Sequence, residues 1–142
     1  MQYGNVTQQL SVSAQISVND IEKIKAAGFK AIICNRPDNE GVNQPTFAEI
    51  AAKAMSLGLH CVYQPVVSGK VTQQDATTFE AHLQNLEGPV LAFCKTGMRA
   101  ITLWALGAAK TLSCEEIHSI SQKAGYNLSE QISGLTNTGG PH

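Results

Sequence analysis

Charge is scarce in this chain. Only 15% of its 142 residues are Asp, Glu, Lys or Arg, and the net charge is −1. A surface that binds nucleic acid or an anionic membrane carries a basic excess, so neither partner is expected. Long apolar runs are also lacking, and no stretch approaches the length of a membrane span. The opening Met-Gln-Tyr-Gly-Asn has no basic segment followed by an apolar one, so no secretory signal is expected. Four cysteines occur without a Cys-x-x-Cys pair, which argues against a zinc site or a disulfide framework and fits a reduced cytoplasm. His60, His82, His118 and His142 have no metal-ligand spacing, so neither metal nor cofactor is expected. What the chain does have is an apolar share of 43%, enough to bury one core. The expectation is a single soluble domain over residues 1–142, ordered from about 8 to 134, with a frayed tail from Thr136.

Helical and strand patterns alternate. Short strands are expected at residues 10–14, Lys30–Cys34, Leu59–Val67 and Val90–Phe93. Helices are expected at Val18–Ala27, Thr46–Leu57, Thr72–Leu86, Arg99–Lys110 and Ser113–Ala124, with a last short one at Leu128–Ile132. Ser17 and Ser113 have the character of N-caps, and Gly28, Gly58 and Gly125 stand where helices stop. This order gives an α/β fold: three layers, with a mainly parallel sheet between helices. In such sheets ligands bind at the carboxyl ends of the strands.

Three strand ends are then informative. One runs into Asn35-Arg36-Pro-Asp38-Asn-Glu40, a second into Ser68-Gly-Lys70, and the third into Cys94-Lys95-Thr96-Gly97-Met98-Arg99. The last is the strongest feature in the chain. A strand ends at a cysteine, a glycine permits a tight turn, and an arginine opens a helix. Backbone N–H groups and the helix dipole favour an anion at such a turn. Helix N-termini and arginines lower a thiol's pKa from ~8.5 towards 3.5–7.5. Cys94 is therefore the expected nucleophile and Arg99 its anion-holding partner, with Lys95, Thr96, Gly97 and Met98 forming the cradle. Arg36, Asp38 and Glu40 are expected on the same rim, although Asp38 also suits a turn. Most cysteines are inert core residues, and Cys61 and Cys114 are read that way. Cys34 stays open as a resolving thiol.

The segments Ser13-Ala-Gln15, Ala27-Gly-Phe-Lys-Ala-Ile-Ile-Cys-Asn-Arg-Pro-Asp-Asn-Glu40, Gln64-Pro-Val66 and Gly88-Pro-Val-Leu-Ala-Phe-Cys-Lys-Thr-Gly-Met-Arg99 resemble the phosphatase-like domain of bacterial beta-lactamase-hydrolase-like proteins. The resemblance spans about residues 10–125. It implies a fold similar to the protein tyrosine and dual-specificity phosphatases. It also implies an association with persulfide-oxidising dioxygenases, fused or separate, and a sulfurtransferase activity attributed to the domain.

The two implied chemistries differ. Dual-specificity phosphatases carry His-Cys-x5-Arg followed by Ser or Thr, and a general-acid Asp on a neighbouring loop. Here the spacing is Cys-x4-Arg, Phe93 precedes the cysteine, Ala100 follows the arginine, and the loop after Val66 has no acid before Asp75. The shorter loop resembles that of rhodaneses. Sulfane sulfur transfer needs no proton donor, so a rhodanese-like sulfurtransferase is the first expectation. It would use a Cys94 persulfide, with thiosulfate or glutathione persulfide as donor and a thiol or cyanide as acceptor. A cysteine-dependent phosphatase working through a Cys94 phosphocysteine is the alternative, and a non-catalytic anion-binding module is a third.

Overall fold

In the computed structural model, which describes residues 1–131, five strands form one sheet. They are β1 (Gly4–Asn5), β2 (Leu10–Ser13), β3 (Ala31–Cys34), β4 (His60–Tyr63) and β5 (Val90–Phe93). Their order is β1-β2-β5-β3-β4. The β2–β5, β5–β3 and β3–β4 pairs are parallel, and β1 alone is antiparallel. The helices are α1 (Asp20–Ala26), α2 (Phe47–Ser56), α3 (Gln73–Asn85), α4 (Met98–Ala108) and α5 (Cys114–Lys123).

Alternation along the strands divides the core in two. Ile32, Cys34, Leu91 and Phe93 point to one face, where Ile21 and Ile24 of α1 and Ile50 and Ala54 of α2 cover them. Ala31, Ile33, Val90 and Ala92 point to the other, beneath Phe79 of α3, Ile101 and Leu103 of α4 and Ile117 of α5. Every residue of β2, β3 and β5 is buried, as a parallel strand covered on both faces requires. The three-layer α/β expectation therefore holds.

The helix starts are built locally. Thr46, Thr72 and Ser113 each accept a hydrogen bond from the backbone three residues on and are answered by Glu49, Asp75 and Glu116. These reciprocal pairs satisfy donors that a helix start leaves unpaired. Ser17 and Asp20 form a similar pair: Ser17 Oγ accepts from Asp20 N–H, and Asp20 Oδ2 accepts from Ser17 N–H. The turn they close precedes α1, so the helix begins at Asp20, two residues later than expected.

Two further differences concern the sheet edges. β1 has only two residues, too few to leave a pattern in the sequence. The expected strand Leu59–Val67 contracts to His60–Tyr63, because Pro65 has no N–H to give the ladder. The chain still follows β3 for a few residues, with Gln64 N–H on Cys34 O and Val66 N–H on Asn35 O. The last helical turn starts at Ser129, and Ile132, the tail from Thr136 and His142 lie outside the described residues. No helix among the described residues is long and apolar enough to cross a membrane.

The register is what matters for the site. Cys34 pairs with both Tyr63 and Phe93, and Phe93 with Ser13. All four parallel strands thus end level, and four loops leave on one rim.

Candidate active site

Cys94 is the first residue beyond β5, and its N–H reaches Ser13 O on β2. Gly97 then turns the chain into α4 with φ +97°, a left-handed conformation that glycine adopts without strain. The turn brings the Gly97 N–H to 3.1 Å from Cys94 Sγ. Met98 N–H is held by Thr96 Oγ1 at 3.2 Å. The amides expected to cradle an anion are thus partly used within the loop, one of them on the sulfur itself.

Arg99 sits in the first turn of α4 and is buried. Its Nη1 donates to Val66 O at 2.9 Å and to Glu40 Oε2 at 2.9 Å, and its Nη2 donates to Glu40 Oε1 at 2.7 Å. Glu40 Oε1 also accepts from Arg36 Nε at 2.9 Å, and Arg36 Nη1 donates to Gln15 Oε1 at 3.1 Å. Gln15 N–H in turn donates to Lys95 O. A ring of polar contacts thus joins the loops after β2, β3 and β5 to the helix that carries Arg99. Hydrogen bonds from Arg99, with a smaller share from Arg36, hold the Glu40 carboxyl below its ordinary range. Glu40 in return raises the Arg99 pKa.

A cavity of about 610 Å³ opens over this ring, its wall including Arg36, Glu40, Lys95, Thr96, Met98 and Arg99. Three cations against one carboxylate suit an anionic ligand. Cys94 has no exposed surface, so attack on a bound group requires the adjoining wall to move.

The structure thus brings together Cys94, the cradle residues Lys95 to Met98, Arg99, Arg36 and Glu40. It removes Asp38. That carboxylate accepts the Phe47 N–H at 2.8 Å, at the start of α2, while the Asp38 N–H donates to Tyr63 Oη. An unpaired helix-start amide competes for a nearby carboxylate, and here it wins. Asp75 is likewise engaged in the capping pair of α3. Cys34 is buried, and its thiol is pushed up to about 11, chiefly by that burial. Cys61 is pushed up to about 12 for the same reason. A thiol held protonated is a poor attacking group, which weighs against Cys34 as a resolving residue. Three members of the site were not legible in the sequence: Gln15, the Val66 carbonyl and Tyr126, whose hydroxyl donates to Thr96 O at 3.0 Å. Only Gln15, two residues past a strand end on the same rim, had a signal that could have found it.

Residues 2–111 match the family described as the phosphatase-like domain of Beta-lactamase hydrolase-like protein. A Beta-lactamase hydrolase-like protein of Agrobacterium fabrum is 32% identical over 125 residues, covering 87% of this chain and 29% of that one. One from Xylella fastidiosa is 28% identical over 137 residues, covering 95% and 32%. The chain therefore spans about a third of the length of these relatives. A solved Neisseria meningitidis protein, provisionally assigned as a phosphatase, is 37% identical with a TM-score of 0.87, covering 94% of this chain and 96% of that one. Pseudomonas aeruginosa TpbA, solved with phosphotyrosine, shares the fold at 16% identity and a TM-score of 0.68, covering 93% and 80%. Tk-PTP shares the same fold, at 16% identity and a TM-score of 0.67, covering 95% of this chain and 94% of that one.

Proposed function

We propose a function from one premise: the chain belongs to the family of phosphatase-like domains found in beta-lactamase hydrolase-like proteins. Its reading is a cysteine-dependent phosphatase acting on anionic monoesters, with Cys94 as nucleophile and Arg99 as the anion-holding group. The observation that carries it is the Gly97 N–H on Cys94 Sγ beside a fixed, buried Arg99. A backbone donor faces the sulfur there, and a guanidinium stands beside it for phosphoryl oxygens. This replaces sulfur transfer as the first reading, because the family description and the 37%-identical relative both favour phosphate chemistry.

The reaction has two steps. Cys94 Sγ attacks phosphorus, the S–P bond forms, and the bond to the leaving oxygen breaks. Water then attacks phosphorus, the S–P bond breaks, phosphate leaves and a proton passes to solvent. Asp38 and Asp75 are held at helix starts, and Glu40 is held by two arginines. Each of the three would have to give up those contacts to protonate a leaving oxygen. Groups that depart as stable anions are therefore the favoured substrates. General acid catalysis contributes ~10²–10⁴-fold, so alkyl phosphates should lag aryl phosphates by at least that order. A set of phosphates with leaving groups of graded acidity tests this. Equal rates for alkyl and nitrophenyl esters would contradict it.

A second reading, sulfur transfer, is favoured by that same engagement of the three carboxylates and by the four-residue spacing of Cys94 and Arg99. Cys94 Sγ would attack a sulfane sulfur, forming one S–S bond as the donor's breaks. Sulfite or a thiolate would leave as an anion, needing no proton. A thiol or cyanide would then take the sulfur from Cys94. On this reading the partners are a small anionic donor such as thiosulfate or glutathione persulfide, a thiol acceptor, and a persulfide dioxygenase.

A further inference from the structure

The Thr96–Gly97 peptide touches two groups on opposite sides. Its carbonyl oxygen accepts the Tyr126 hydroxyl at 3.0 Å, and its N–H donates to Cys94 Sγ at 3.1 Å. In a trans peptide the C=O and N–H of one unit point in opposite directions across a rigid plane. Fixing one end therefore fixes the other. We propose that Tyr126 is a positioning residue, whose hydroxyl holds this peptide so that the Gly97 N–H stays aimed at the nucleophile.

A hold of this kind has work to do. Gly97 lacks a Cβ and sits at φ +97°, so the peptide before it can rotate with little steric hindrance. A rotated peptide would aim the Thr96 carbonyl oxygen at the sulfur and repel a thiolate. The fit is close on the other side as well. A Cβ on Gly97 would lie 1.9 Å from Tyr126 Oη and 2.7 Å from its Cζ, so the hydroxyl end of the phenol occupies the place a side chain would take. Tyr126 is itself anchored. Gly125 turns the chain at φ +99°, the Tyr126 N–H donates to Ser121 O at 2.9 Å, and the ring packs on the core beneath α4 and α5. Burial, with a smaller effect from Cys94, raises the phenol pKa, so the hydroxyl keeps its proton and remains a donor. Tyr126 lies beyond residues 2–111, the segment that matches the family.

This inference rests on Cys94 being the nucleophile. Tyr126→Phe in the full chain tests it, since the ring and its packing remain. Three quantities are read: the Gly97 amide proton shift by NMR, kcat and KM for nitrophenyl phosphate, and the rate of Cys94 alkylation by iodoacetamide. The amide proton should move upfield as its bond to sulfur weakens. The kcat should fall about tenfold with KM nearly unchanged, less than the ~10²–10³ lost when a stabilising donor is deleted outright. An unmoved Gly97 amide, or a moved amide with kcat and alkylation at wild-type rates, would overturn the proposal. If the wild type shows neither turnover nor alkylation at Cys94, the proposed function fails, while the amide shift still decides whether Tyr126 holds the peptide.

Discussion

Glu40 grips Arg99 with both carboxylate oxygens, at 2.9 and 2.7 Å, although 58 residues separate them in sequence. A two-point contact fixes the plane of a guanidinium, which a single charge contact does not. Glu40 also meets Arg36, so one carboxylate balances two cations at the cavity wall. The orientation of Arg99 on α4 is thus set by the loop after β3.

Arg99→Lys keeps the charge and loses the fork. Lysine cannot reach both Glu40 oxygens and the Val66 carbonyl at once. A misplacement of about 1 Å costs up to ~10²-fold, so kcat/KM for nitrophenyl phosphate should drop by roughly that factor. A variant within a few-fold of wild type would show that Arg99 does not meet the substrate.

Acid should dissolve the same contact. The folded-state pKa of Glu40 lies below the ordinary 4.5. Its contribution to stability is therefore fully present above about 4.5 and is lost as pH falls through the lowered value. The stability difference between wild type and Glu40→Gln should be constant above that pH and shrink below it. Chemical denaturation at a series of acid pH values measures it. A difference that stays constant through the acid range would contradict the assignment.

Cys34 and Cys61 should lag in labelling. Burial holds Cys34 up at about 11 and Cys61 up at about 12. Alkylation of both should be slow at neutral pH and accelerate only as pH approaches those values. Cys34→Ala should leave turnover within a few-fold of wild type. A Cys34–Cys94 disulfide trapped during turnover would restore Cys34 to the mechanism.

Two glycines separate backbone strain from fit. Gly28 and Gly97 both have positive φ, +101° and +97°, but only Gly97 has an atom where a Cβ would go. Strain in this region costs ~1–3 kcal/mol for a non-glycine residue. Gly28→Ala should lose about that much and retain activity. Gly97→Ala should lose more, because Tyr126 must also move, and turnover should fall with it. Equal losses in denaturant melts would mean that Tyr126 yields freely.

The sequence makes β5 legible to the residue, because Val90–Phe93 is an unbroken apolar run between Pro89 and a polar turn. The rim follows from it, since parallel strands end level and carry their loops to one side. The capping role of Asp38 is not legible, because a carboxylate beside a loop and one beside a helix start look alike until the helix is docked. Gln15, the Val66 carbonyl and Tyr126 enter the site only through contacts between distant segments. A backbone carbonyl leaves no trace in residue type, and a tyrosine after a glycine stop has many uses.

The central claim is that Cys94 carries the transferred group. The most direct measurement is the mass of the Cys94-containing peptide after rapid acid quench during turnover of an aryl phosphate, set beside the same peptide after incubation with thiosulfate or glutathione persulfide. One phosphoryl group should appear on Cys94 with the phosphate and vanish as turnover ends. Cys94→Ser should show neither adduct nor turnover. Phosphate release without a Cys94 adduct, or one added sulfur from the sulfur donors and no phosphoryl group from any ester, would contradict the phosphatase account, and the latter would put sulfur transfer in its place.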